Sequence, residues 1–124
     1  MRKIVTRGIS IGEIGVTGKA RIIKNNLDMS LICPGEILFV PEELMKNIPL
    51  SKNIAGIVTN QNVNDVYALF NKNNKKISTI CNLENMDKQE ISNGDLITLQ
   101  LNEGVIYMGQ IEDDDDAIDK YKYV

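Results

Sequence analysis

The sequence predicts an α/β domain in which compact sheets, a β-sandwich or a barrel-like arrangement, carry a few flanking helices. Three observations carry that expectation. Residues Ile54 to Val58 are nearly all apolar, the pattern of a strand covered on both faces, and they lead through an Asn-rich loop into a helical pattern. The first quarter of the chain mixes β-branched residues with Gly8, Gly12, Gly15 and Gly18, which suits short strands that turn sharply around one another. Late in the chain, "NGDLITLQLNEGVIYMG" alternates Leu96, Thr98 and Gln100 around a turn at Asn102 to Gly104, a β-hairpin signature.

Taken in order, "KIVTRGISIGEIGVTGKARIIKN" supplies the opening β unit, and Pro34-Gly35 then turns the chain into a strand from Ile37 to Val40. Pro41 lacks a backbone donor and stops that strand from continuing in a central position. Residues Leu44 to Leu50 suit a short helix or a turn, and Ile54 to Val58 forms a central strand that ends at Thr59. From Val63 the apolar positions Val63, Val66, Tyr67 and Phe70 fall at helical spacing, with Asn62, Asn64 or Asp65 available as N-cap. The helix should end near Asn73, with Lys72, Lys75 and Lys76 in a solvated turn, before Ile77 to Cys81 returns as a strand. The body, residues 1–109, closes with the hairpin, and residues 110–124, "QIEDDDDAIDKYKYV", read as an acidic, solvated C-terminal tail.

Composition removes whole classes of function. A chain of 124 residues suits one domain, and a net charge of -3 opposes binding to a phosphate backbone, so no nucleic-acid partner is expected. No apolar run approaches the length that spans a bilayer, and "MRKIVTRGISIG" lacks a signal-peptide core, so no membrane partner and a cytoplasmic location are expected. Cys33 and Cys81 lie far apart, and histidine is absent. A structural zinc site is therefore not expected, and Ser-His and Cys-His nucleophile pairs and phosphohistidine are excluded. The aspartate run lacks the spacing and glycine turn of an EF-hand loop, so neither a metal nor another cofactor is expected.

The candidate binding loop comprises Thr59, Asn60, Asn62, Asn64 and Asp65. It follows the carboxyl end of a central strand, where open α/β sheets place their ligands, and it opens a helix. Asp65 reads as a helix cap, Tyr67 as a ring packed along the Val63, Val66, Phe70 stripe against the sheet or a partner, and Cys81 as a core thiol.

Four segments in order, "GISIGEIGVTGKARII", "PGEILFVPEE", "IAGIVTN" and "SNGDLITLQLNEGVIY", resemble the mobile, or swivelling, phosphohistidine domain of phosphoenolpyruvate-utilising enzymes. That family includes pyruvate phosphate dikinase, phosphoenolpyruvate synthase and enzyme I of the sugar phosphotransferase system. The resemblance covers Gly8 to Gly109 and implies a swivelling β/β/α domain. The family carries GGxTSHxA between the third and fourth segments. Without gaps, its glycines fall on Asn62 and Val63, its Thr-Ser pair on Asp65 and Val66, and its phosphoacceptor histidine on Tyr67. Val63 opposes the close backbone approach that glycine permits, Asp65 sets a carboxylate where phosphate charge would sit, and Val66 offers no hydroxyl. The resemblance therefore implies a stand-alone, catalytically inactive relative, not an enzyme on its own, acting as a binding or regulatory module. The alternative is a phosphocarrier or scaffolding subunit of a multi-subunit phosphoenolpyruvate-dependent phosphotransferase, with Tyr67 or Asp65 in place of histidine. Its partner would be an unknown protein, nucleotide-binding and phosphoenolpyruvate-binding subunits being the candidates.

Overall fold

The computed structural model describes residues 3–12, 15–84 and 90–109. Within them lie eight strands: β1 (Lys3–Arg7), β2 (Ile9–Ile11), β3 (Val16–Ile22), β4 (Ile37–Val40), β5 (Gly56–Thr59), β6 (Thr79–Cys81), β7 (Leu96–Gln100) and β8 (Val105–Met108). One α-helix, α1 (Val63–Lys72), and two 3-10 segments, Asn26–Leu31 and Glu42–Asn47, complete the set. The α/β class expected from the sequence is thus observed. No helix among the described residues is long and apolar enough to cross a membrane.

The strands form one mixed sheet in the order β1-β8-β7-β3-β4-β5-β6-β2. β3, β4, β5 and β6 are parallel neighbours, and the remaining pairings are antiparallel. Parallel neighbours need crossovers, which the two 3-10 segments and α1 supply. The strands at the two ends of the order, β1 and β2, are separated in sequence by Gly8 alone, so the sheet curls until a single pass of chain closes it. That seam admits no side chain. A Cβ on Gly8 would lie 2.5 Å from the Cys81 carbonyl oxygen, and one on Gly104 would lie 2.5 Å from the Gly8 carbonyl oxygen. The Gly8 N–H donates to the Gly104 carbonyl at 2.9 Å, and Gly104 holds a φ of +67°, where glycine is favoured.

Period-two alternation divides the buried residues between two cores. Ala20, Ile37, Phe39, Val58, Ile80, Ile97, Leu99 and Ile106 come from strands all round the sheet and fill its inside. Leu38, Val40, Ile57 and Cys81 face outward and are covered by Val66 and Phe70 of α1, Met45, Ile48, Ile23 and Ile32. Val66 and Phe70 are essentially fully buried, and burial of this kind contributes about 1.5–3 kcal/mol per side chain.

β4, α1 and the β7–β8 hairpin follow the sequence pattern closely. The strand expected from Ile54 begins at Gly56, because Ile54 and Ala55 donate their N–H groups to the carbonyls of Lys52 and Glu36 in the approach to the sheet. The strand expected from Ile77 likewise begins at Thr79, although Ile77 stays buried. Leu44 to Leu50, left between helix and turn, belongs in part to the 3-10 segment Glu42–Asn47. The segment Asn26–Leu31 has no counterpart in the sequence reading. Its signature is the capping box of Asn25 and Asp28, in which each side chain accepts from the other residue's backbone N–H. Lys75, expected in a solvated turn, instead directs its ammonium to the carbonyls of Leu50 and Lys52. The acidic stretch at 110–124, expected as a tail, lies outside the described residues.

Candidate functional site

The carboxyl ends of β4, β5 and β6 lie side by side, and each continues into a polar residue: β4 through Pro41 to Glu42, β5 to Asn60, β6 to Asn82. The loop after β5, residues 60–62, is the exit that leads into the α-helix. Thr59 is fully buried, and its Oγ1 accepts from the Gln61 N–H at 3.2 Å. Asn60 reaches sideways, its Oδ1 accepting from the Glu42 N–H at 2.8 Å. On the other side the Asn82 N–H donates to the Gln61 carbonyl at 2.8 Å, with Asn82 in the left-handed region at φ 65°. Asparagine tolerates that conformation better than most residues. Gln61 Oε1 is buried with no hydrogen-bond partner among the described residues.

Asn62 is the helix cap. Its Oδ1 accepts from the Asp65 N–H at 2.9 Å while its Nδ2 donates to Asp65 Oδ2 at 2.9 Å. Of the three cap candidates Asn62, Asn64 and Asp65, the cap is Asn62, because its extended backbone points its carboxamide at the first free N–H groups. Asp65 sits in the first turn, where a carboxylate interacts favourably with the helix dipole. The amino end of α1 is occupied by its own side chains, which leaves the arrangement poorly suited to an anion.

Of the two places expected for Tyr67, against the sheet or against a partner, it does not take the first. Val66 and Phe70 are buried and Val63 and Leu69 pack against the same core, whereas Tyr67 is 40% exposed on the outward side of α1. The helix needs only the narrower stripe to cover β5 and β6, and the 3.6-residue repeat carries position 67 toward solvent. Asn60, Asn62, Asn64 and Asp65 are exposed as well. The structure thus joins Thr59, Asn60, Asn62 and Asp65 in one hydrogen-bonded loop and sets Asn64 and Tyr67 on the adjoining face of α1. Glu42, Gln61 and Asn82 complete the loop without having been singled out in the sequence. The rule that pointed to the end of β5 would have found Glu42 and Asn82 had it been applied to β4 and β6 as well.

Three groups elsewhere have shifted acidities. Glu36, at the amino end of β4, is buried, and burial pushes its carboxyl up. Two hydrogen bonds from Arg21, at 3.1 and 2.9 Å, and one from the Cys33 N–H at 2.8 Å outweigh burial and hold it below 4.5, the ordinary value. Arg21 is correspondingly raised by Glu36. Cys81 lies in the core as expected, and burial pushes its thiol up to about 11, so it is not a nucleophile at neutral pH.

No family model matches the chain. Pyruvate kinase 2 of Synechocystis sp. is 26% identical over 111 residues, which cover 90% of this chain and 19% of that protein. Among solved structures, MccF in complex with glutamyl sulfamoyl guanosine is similar at a TM-score of 0.57 and 14% identity. The microcin C7 self-immunity protein MccF in its inactive mutant apo state is similar at the same TM-score and identity, and its complex with aspartyl sulfamoyl adenosine at 0.53 and 15%. Each of these matches covers 83% of this chain and 41% of the MccF chain. The chain therefore spans less than half of each of these proteins, and at such identities the MccF likeness shows the fold alone. The expected place among the phosphohistidine swivelling domains is corrected by these findings. The solved structures named above are MccF chains, and they do not indicate a phosphoenolpyruvate-utilising domain. The readings built on that family fall with it: inactive relative, phosphocarrier and phosphotransferase scaffold. The physical reason is that the four motifs encode a Gly-punctuated pair of short strands, a turn before a strand, an apolar parallel strand and a tight hairpin, which report sheet topology and not activity.

Proposed function

We propose that this chain is a protein-docking domain, one part of a larger cytoplasmic assembly. Its contact surface runs from the loop Thr59, Asn60, Asn62, Asn64 and Asp65 onto the outward side of α1 at Tyr67. One observation supports this above the others: the loop holds its shape by its own hydrogen bonds while keeping Asn60, Asn62, Asn64, Asp65 and Tyr67 exposed. A preformed surface lowers the ordering cost of association, and a half-exposed tyrosine offers a large, rigid contact at little entropic expense. The partial coverage of the matched proteins is in keeping with a domain that works beside other domains or chains. Both cysteines are unpaired, in keeping with a reducing compartment.

Photo-cross-linking in cells of its source tests the proposal. A benzophenone side chain is placed at Tyr67, and at Asn53, an exposed residue before β5, as the control from the opposite edge. Discrete polypeptide adducts from position 67 and none from position 53 are expected. Adducts from 53 alone, or from neither position, would refute the docking surface.

A further inference from the structure

The outward side of α1 carries a second stripe. Asn64, Tyr67, Ala68 and Asn71 lie at i, i+3, i+4 and i+7, and all four are exposed, opposite the buried pair Val66 and Phe70. A solvated helix face is ordinarily charged, yet none of these four residues is. The charges stand to one side of the stripe: Asp65 in the first turn and Lys72 in the last. At 100° per residue these two lie on the same flank, seven positions apart.

We propose that this face pairs with a second copy of the chain, the two α1 helices running antiparallel about a two-fold axis that passes between Tyr67 and Ala68. The inference rests on the docking reading above and names its partner. Two-fold pairing opposes each position to its mirror along the helix. Tyr67 then meets Tyr67 of the second copy as a stacked aromatic pair, and Ala68 meets Ala68, whose small side chain lets the backbones approach. Asn64 lies opposite Asn71, and a carboxamide both donates and accepts, so each pair can be satisfied in either sense. Asp65 falls beside Lys72 of the second copy, and the same contact recurs on the other half of the axis. A stripe whose acidic end answers its own basic end on one flank is self-complementary. A partner of different sequence would have no reason to require that symmetry.

A helix of 10 residues extends about 15 Å, so the pairing buries less than the roughly 800 Å² per partner of a standard interface. Association is therefore reversible and dependent on concentration. Sedimentation equilibrium of the full chain from about 10 μM to about 1 mM is expected to show a monomer–dimer equilibrium. Ala68→Glu should abolish the dimer. Asp65→Lys and Lys72→Asp should each weaken it about tenfold, and the two together should restore it to within about threefold, since reversing both charges keeps the flank complementary. Amide spectra of each variant confirm that the fold is kept, as these residues are exposed. A chain that stays monomeric to about 1 mM, or a double variant no tighter than the singles, overturns the self-pairing. If the chain is monomeric while Tyr67 cross-links to a different polypeptide, the self-pairing fails and the docking reading stands; if Tyr67 captures nothing, both fail.

Discussion

The two edges of the parallel strands are built from opposite chemistries. At the amino edge of β4 a buried carboxylate gathers three donors, two from the Arg21 guanidinium and one from the Cys33 backbone, and ties β3 to the turn that starts β4. At the carboxyl edge the bonds are mostly neutral, made by Thr59, Asn60, Asn62 and backbone groups, and the side chains remain in water. Charge-assisted bonds are stronger and cost more to break when one partner stays buried. Neutral bonds fix a shape while placing little charge on a surface that a partner must desolvate. The amino edge is thus the anchor of the fold, and the carboxyl edge is the contact surface of the proposed docking function.

The largest effect expected from breaking this contrast comes at the anchor. Glu36→Ala strands the Arg21 guanidinium, 20% exposed, and the Cys33 N–H, and should destabilise the chain by about 2–3 kcal/mol in denaturant unfolding. The pH dependence has a definite sign. Because the native carboxyl sits below its unfolded value, its contribution is fully present above 4.5 and is lost as pH falls through the lowered native value. Glu36→Gln should remove that part of the acid sensitivity while costing less than Glu36→Ala at neutral pH. An unchanged acid transition in Glu36→Gln would show that the pair is not what anchors this edge.

How much of the two edges could be read from the sequence follows from how local their causes are. β4, the end of β5 at Thr59 and the stripe Val63, Val66, Phe70 are set by neighbours in the chain, so periodicity and proline placement were enough. Loop residues 59–65 were legible for the same reason. The Arg21–Glu36 pair spans 15 residues, the Asn60–Glu42 bond 18, and the Gly8–Gly104 seam joins the two ends of the domain, so none has a local signature. Tyr67 shows the limit of periodicity alone. The i+4 position fits a stripe on paper, but only the width of the surface beneath decides whether it is covered. Family resemblance misled because short strand and turn motifs report topology, which unrelated activities share.

An intermediate effect is expected at the interface. Asn62→Ala removes the cap of α1 and should cost about 1 kcal/mol, with helix amides near Asp65 exchanging faster. Asn62→Ser should recover most of the loss, since its Oγ can still accept from the Asp65 N–H. If Ser fails to rescue, the bond from Asn62 Nδ2 to the Asp65 carboxylate, and not the cap, is the contact that matters.

The smallest effect belongs to Asn60, and it tests whether the carboxyl edge is fixed piece by piece or as a unit. Asn60 Oδ1 accepts from the Glu42 N–H, and Asn60 is exposed, so water can replace the lost acceptor in Asn60→Ala. A net cost of about 0.5–1 kcal/mol follows. The Glu42 amide should exchange faster, whereas the amides of Gln61 and Asp65, held by Thr59 Oγ1 and Asn62 Oδ1, should keep their protection. That pattern would mean that each strand exit is pinned by its own bond, and that the surface keeps its form when one pin is lost. Collective loss of protection at Gln61, Asp65 and Asn82 would show instead that the Asn60 bond holds the whole edge together. The loop could not then be treated as preformed, and the contrast with the Glu36 anchor would narrow to a difference in charge.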